Sequence, residues 1–206
     1  MSERSARIAV VYYSATGNVH AIAEALAKGA AGAGADVRLR RVAETAPGRV
    51  VDRDPEWRAH LDATADIPEA TLEDLVWADG YAFGTPTRFG NVAAQLKQFI
   101  DRTGGIWEAG HLAGKPFTGF TSTAEVHGGQ EATILALYHV AHHWGSVIVP
   151  TGYVDYDLIH AAGGNPYGLS TVASPGGPPE EVLAAAAHQG TRLARITAAL
   201  TPVRAS

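Results

Sequence analysis

Short apolar runs alternate along this chain with amphipathic stretches, and that alternation points to an α/β fold built on a parallel sheet. Two observations carry this. The first run, Ile8-Ala9-Val10-Val11-Tyr12-Tyr13, is apolar throughout, as a strand covered on both faces requires. The segments that follow the runs are alanine- and leucine-rich with apolar residues at helical spacing.

The elements follow in order. Strand Ile8 to Tyr13 runs into the loop Ser14-Ala15-Thr16-Gly17-Asn18-Val19. Val19 to Ala31 then reads as a helix with Ile22 and Leu26 on its inner stripe, ended by Gly32 and Gly34. Val37 to Val42 alternates apolar and charged residues, which suits a half-covered strand near a sheet edge. Ala43 to Pro68 is polar and charged, a long excursion with one short helical piece around Trp57. Thr71 to Ala78 is a short helix, with Thr71 as its cap and Asp74 three residues on. Gly80 to Gly84 is the next strand and ends in Thr85-Pro86-Thr87-Arg88-Phe89-Gly90. Asn91 to Thr103 is a helix with Leu96, Phe99 and Ile100 inward. Lys115 to Ser122 is a fourth strand, and Glu131 to Trp144 the helix after it. Val147-Ile148-Val149 is the fifth strand. A Gly/Pro/Asn-rich connection, Thr151 to Pro179, leads to the last helix, Glu180 to Leu200. No internal repeat is evident, and 206 residues suit one α/β domain over 1–206.

Composition narrows the function classes. Sixteen Lys and Arg against 21 Asp and Glu give a net charge of −5 without a basic run, so nucleic acid is not an expected partner. There is no cysteine, which excludes disulfides, thiolate metal sites, iron–sulfur clusters and cysteine nucleophiles. It also fits a reducing cytoplasm. No stretch approaches the roughly 18 apolar residues of a membrane span, so no membrane partner is expected. His139, His142 and His143 share a helix face, but no carboxylate stands near them in sequence, and no metal is expected.

In a parallel sheet the ligand sits beyond the carboxyl ends of the strands. Three loops end there: 14–19, 85–91 and 122–130, all rich in hydroxyls, glycines and amides. The first joins a strand to a helix N-terminus, where unpaired N–H groups and the helix dipole favour an anion. Ser14 and Thr16 add hydroxyls, Gly17 allows close approach, and Asn18 can cap the helix. No Gly-x-x-x-x-Gly-Lys-Ser/Thr and no Gly-x-Gly-x-x-Gly follows the first strand, so a triphosphate or a Rossmann dinucleotide is disfavoured. A neutral loop of this kind suits a single terminal phosphate. By itself it fits an ordinary capped βα turn equally well.

Taken together, these segments resemble the WrbA family of flavodoxin-like NAD(P)H:quinone oxidoreductases. The resemblance rests on Val11 to Ser14, on Gly84-Thr85-Pro86-Thr87-Arg88-Phe89-Gly90-Asn91 and on Thr103-Gly104-Gly105-Ile106-Trp107. It extends to Ser122-Thr123 with His127 to Glu131, Ala141-His142-His143, Val147 to Pro150, and Gly163 to Gly168. The block at 84–91 is its most specific part.

The resemblance implies a three-layer sandwich around a five-stranded parallel sheet of order 2-1-3-4-5. It implies FMN as cofactor, NAD(P)H as electron donor, small-molecule quinones as acceptors, two-electron ping-pong hydride transfer, and a homotetramer whose active site includes residues from neighbouring subunits. By position, Ser14, Ala15, Thr16, Gly17, Asn18 and Val19 hold the FMN phosphate, and Thr16 corresponds to a position near NAD. Pro86, Thr87, Arg88, Phe89, Gly90 and Asn91 meet the flavin ring. Ser122, Thr123, Ala124, Glu125 and Gly128 flank its other side, and His142 reaches toward it. Trp107 is the substrate-side aromatic. No side chain acts as a nucleophile, because the cofactor carries the chemistry.

Two segments depart from the family pattern. Ala124 and Glu125 stand where relatives usually carry Gly and Thr, and Thr16 stands where some carry an aromatic. The alternative is a flavodoxin-type electron carrier that docks protein partners and turns nothing over itself.

Overall fold

A computed structural model describes residues 5–204, with side chains to 201. Six parallel strands form the sheet: β1 (Arg7–Tyr12), β2 (Asp36–Arg41), β3 (Gly80–Pro86), β4 (Pro116–Thr123), β5 (Val147–Ile148) and β6 (Leu169–Val172). The order is β2-β1-β3-β4-β5, with β6 also paired to β4. β5 pairs only with the start of β4, at Pro116 and Phe117, while β6 takes over from Phe120 to Thr123.

The helices are α1 (Asn18–Gly32), α2 (Gly48–Val51), α3 (Pro55–Ala63), α4 (Leu72–Trp77), α5 (Ala94–Asp101), α6 (Gly104–Glu108), α7 (Gln130–Trp144), α8 (Tyr156–Ala161) and α9 (Glu180–Arg204). They cover both faces of the sheet. On one face Ile8, Val10 and Tyr12 meet Val19, Ile22 and Leu26 of α1 and Val182, Ala186 and Leu193 of α9. On the other, Ala9, Val11 and Tyr13 meet Leu75, then Leu96, Phe99 and Ile100 of α5 and Ile134, Leu137 and Trp144 of α7. The unbroken apolar run of β1 is therefore split residue by residue between two cores, as the strand pleat demands.

α1 and α9 lie unusually close. A Cβ on Gly190 would stand 2.0 Å from the Leu26 carbonyl oxygen, and one on Gly29 1.9 Å from that of Ala187. Glycine at both positions lets the two backbones touch.

The structure corrects four details. The 151–179 connection is not bare loop, since it carries α8 and β6. The excursion after β2 holds two helices rather than one piece. The segment expected as a helix from Asn91 to Thr103 is helical only over Ala94–Asp101. Asn91 is spent in a turn with Arg88, and the Ala93 N–H donates to Thr85 Oγ1 at 2.9 Å. Asn18 does not cap α1. Gly17 is the cap residue, at φ 101°, and the Asn18 amide instead bonds the backbone of Ser174. The expected Thr71 cap is present as a reciprocal capping box with Asp74.

Candidate active site

The three loops meet at one edge of the sheet, beyond the ends of β1, β3 and β4. Register places Tyr12 opposite Gly84, and Pro86 opposite Ser122, so each strand delivers its loop to the same level.

The first loop closes on itself through the Gly17 N–H, which donates to Ser14 Oγ at 3.1 Å. The positive φ of Gly17 turns the chain sharply into α1. The next amides, of Asn18, Val19 and His20, have no carbonyl of their own helix to bond, and they carry the positive end of the helix dipole. Thr16 is exposed at the mouth. These groups can bind one phosphate.

The second loop is a tight turn. Arg88 and Asn91 exchange backbone hydrogen bonds of 2.8 and 3.1 Å, and Phe89 and Gly90 between them have φ of 55° and 72°. Two positive φ values in sequence are those of a type I′ turn, at a cost for Phe89 that Gly90 does not incur. The turn projects Phe89 wholly into solvent, at 106% of its reference exposure. The Arg88 side chain is exposed and donates to the Thr87 carbonyl at 3.0 Å.

The third loop is pinned to the second. The hydroxyls of Thr87 and Thr133 lie 2.7 Å apart, and the Thr87 N–H donates to the Ser122 carbonyl at 2.9 Å. A Cβ on Gly129 would lie 2.8 Å from Gly90 Cα, so the two loops touch through glycine backbone. Thr123 Oγ1 donates to the Glu125 carbonyl and accepts from Gln130 Nε2. Ser122 and Thr123 are buried, while Ala124 and Glu125 are exposed. The Glu125 carboxylate is thus in water, where its charge is screened.

Trp107 and His142 stand elsewhere. Trp107 Nε1 donates to the His143 carbonyl at 2.7 Å, in the last turn of α7. That turn abuts the start of β4, where the Gly114 N–H bonds Gly145 and the Val147 N–H bonds Lys115. The eight residues of β4 span roughly 25 Å, so these two side chains lie at the sheet edge opposite the loops of their own chain.

Three features were not legible as site features. Glu44, in the excursion, collects the Tyr13 hydroxyl, Trp57 Nε1 and Gln95 Nε2 at 2.8–2.9 Å. Burial alone would raise its carboxyl, but the N–H of Ala46 and these side chains outweigh burial and hold it below the ordinary value. His20 and His60 pack behind the first loop, with ring centroids 5.3 Å apart. Finally, a cavity of about 620 Å³ opens between that loop, α3 and residues 173–177. Only their surroundings in the fold mark these side chains out. In sequence they belong to a charged excursion and an exposed helix turn. Among the described residues no group of three or more His, Asp or Glu side chains converges as a metal site would.

Residues 6–160 match the family described as NADPH-dependent FMN reductase. A protein of Deinococcus radiodurans named NAD(P)H dehydrogenase (quinone) is 46% identical over 94% of this chain and 96% of its own length. One of the same name from Geotalea uraniireducens is 44% identical over 94% and 98%. The chain belongs to the WrbA family of flavodoxin-like NAD(P)H:quinone oxidoreductases. The crystal structure of a WrbA-like flavodoxin from Agrobacterium tumefaciens is similar at 25% identity and a TM-score of 0.68, over 96% of this chain and all of that one. An archaeal flavodoxin at 19% identity and TM-score 0.61 shares the fold.

In this WrbA-family chain the three polar loops meet, among the described residues, without a metal-binding cluster beside them. Among the described residues no helix is long and apolar enough to cross a membrane.

Proposed function

We propose that this protein holds FMN at the 14–19, 86–91 and 122–128 loops and uses it as an NAD(P)H:quinone oxidoreductase. The observation that carries this reading is the convergence of a neutral phosphate loop with two glycine-lined loops that touch at Gly90 and Gly129, the second also tied to the first turn of α7 through Thr87 and Thr133.

The residues present fit the cofactor. Ser14 and Thr16 hydroxyls and the first-turn amides of α1 match a single phosphate, and no lysine or arginine in the loop calls for a longer chain of them. The backbone contact of Gly90 with Gly129 holds the second and third loops together as one continuous wall of the site. When bound, FMN would supply two-electron chemistry between NAD(P)H and a quinone, in ping-pong order.

The chain's own residues bind, orient and shield. Thr87 fixes the spacing of the two ring-binding loops. Phe89 offers an exposed aromatic face beside the ring site, on which a planar substrate stacks. Arg88 places a positive charge at the same edge, where it stabilises negative charge that develops on the cofactor. The exposed position of Glu125 keeps its opposing charge in solvent. Residues 173–177 roof the phosphate end, held by the Asn18–Ser174 pair.

Trp107 and His142 serve the site from a neighbouring subunit. Both are exposed at the edge opposite their own loops, so the assembly that uses them is an oligomer, and we take it to be a homotetramer. The electron-carrier reading gains nothing from the structure comparable to the aromatic pair of Phe89 and Trp107. The test is steady-state: purified protein with FMN oxidises NADH or NADPH when benzoquinone is present. Bound FMN without nicotinamide oxidation would leave the carrier reading in its place.

A further inference from the structure

His60 has no part in the reading above, yet it faces the phosphate loop. It lies in α3 and lines the 620 Å³ cavity together with Thr16, Gly17 and Asn18. A methyl group on Gly17 would stand 3.5 Å from His60 Nδ1. On its other side the ring packs on His20, with planes tilted by 54°. His20 is fixed in place. Its Nδ1 shares a 2.7 Å hydrogen bond with the Tyr12 hydroxyl, and its Nε2 lies 3.3 Å from Glu24 Oε1. Among the described residues no group hydrogen-bonds the His60 ring.

We propose that His60 is the cationic partner of the cofactor phosphate, neutral in the FMN-free protein and taking up a proton from solvent when the dianion settles on the first turn of α1. This rests on the FMN reading of the 14–19 loop. That loop contains no lysine or arginine, so the dianion otherwise meets only hydroxyls, amides and a helix dipole.

The surroundings single out His60 as the group that changes charge. On α3 itself, Glu56 lines the same cavity but is exposed. From β1 and the residue after it come Tyr12 and Tyr13, whose hydroxyls burial keeps protonated. From α1 come Glu24, exposed, and His20, whose imidazole burial pushes below its ordinary value. From β2 comes Arg41, already spent on the Ile67 carbonyl and on Glu69. After it comes Glu44, saturated by its donors. Residues 173–177 bring no charge.

Burial and then the neighbouring His20 push His60 down to about 4, so it is neutral before the cofactor arrives. An opposite unit charge within about 4–6 Å strengthens proton binding by roughly 10- to 1000-fold, and a dianion does more. That brings the ring into the neutral range. The sign follows. The folded value rises on binding, so the gain in FMN affinity is present below the value in the complex and is lost as pH rises through it.

The test is calorimetric titration of the FMN-free protein with FMN at neutral pH, in two buffers of different ionisation enthalpy. Wild type takes up a proton fraction on binding, and its FMN Kd weakens about three- to tenfold from pH 6.5 to 8.5. His60→Gln loses both the uptake and the pH dependence, and riboflavin, which lacks the phosphate, shows neither with wild type. In parallel, the His60 imidazole titrates at higher pH with FMN bound than without it by NMR, a readout that needs no variant. FMN binding with no uptake and an unmoved His60 titration would overturn the proposal while leaving the FMN site standing. A protein that binds no FMN would instead overturn the functional reading, and this proposal with it.

Discussion

The Tyr13 hydroxyl donates to Glu44 Oε2 across 2.8 Å, tying the residue before the phosphate loop to the excursion that follows β2. Trp57 and Gln95 donate to the same carboxylate, so α3 and α5 are tied to it as well. Removing it leaves these three side chains and the N–H groups of Thr45 and Ala46 without their shared acceptor. Glu44→Ala is expected to cost about 2 kcal/mol, read as a lower urea midpoint at unchanged slope. A loss under about 0.5 kcal/mol would mean that water replaces the carboxylate at no cost.

The same group gives a pH dependence. The folded Glu44 value lies below the ordinary 4.5, so its contribution is fully present above that pH. It is lost as pH falls below 4.5 through the folded value. Wild type is expected to lose stability faster than Glu44→Gln over that acid range, in denaturant melts at stepped pH. Parallel curves for the two proteins would contradict this.

Gly190→Ala tests the close contact of α1 and α9. Its methyl group would meet the Leu26 carbonyl at 2.0 Å, so the helices must part along a core seam. A loss of about 3 kcal/mol and a lower Tm are expected, with FMN stoichiometry unchanged once folded. An unaltered Tm would show that the seam is looser in solution.

Thr87→Val removes the hydroxyl that joins the second and third loops. FMN affinity is expected to fall about tenfold, which is about 1.4 kcal/mol, while the fold survives. Fluorescence titration of FMN reads the effect. A weaker Tm without weaker FMN binding would place Thr87 in the scaffold alone.

Subunit sharing has a direct test. Gly17→Val disables the phosphate loop and Trp107→Ala the substrate wall, so each homomer is expected to be nearly inactive with quinone. Co-expressed, the two are expected to regain activity above either parent, since some sites combine an intact loop with an intact Trp107. No regain would contradict a site built across subunits.

Much of the fold was legible because its signals were local. The β1 run could only be a strand covered on both faces, and Thr71 with Asp74 announced the start of α4 by side-chain chemistry alone. β6 gave no such signal. Leu169-Ser170-Thr171-Val172 is four residues long, half polar and flanked by glycine and proline, and it becomes a strand only because β5 leaves the end of β4 unpaired. Asn18 has the chemistry of a cap, but Gly17 already makes the turn, which frees the Asn18 amide to hold Ser174. The block at 84–91 was readable as a family motif, whereas the position of His60 was not. Its nearness to Gly17 depends on how α3 folds back, and no spacing in sequence encodes that.

We propose that flavin held by these loops passes electrons from nicotinamide to quinone in two separate halves. Anaerobic mixing of the FMN-loaded protein with one equivalent of NADH or NADPH isolates the first half, and subsequent addition of benzoquinone the second. The flavin absorbance is expected to bleach in a single two-electron step without quinone and to return fully when quinone is added. Bleaching that requires quinone to be present, or no bleaching of bound FMN by either nicotinamide, would contradict it.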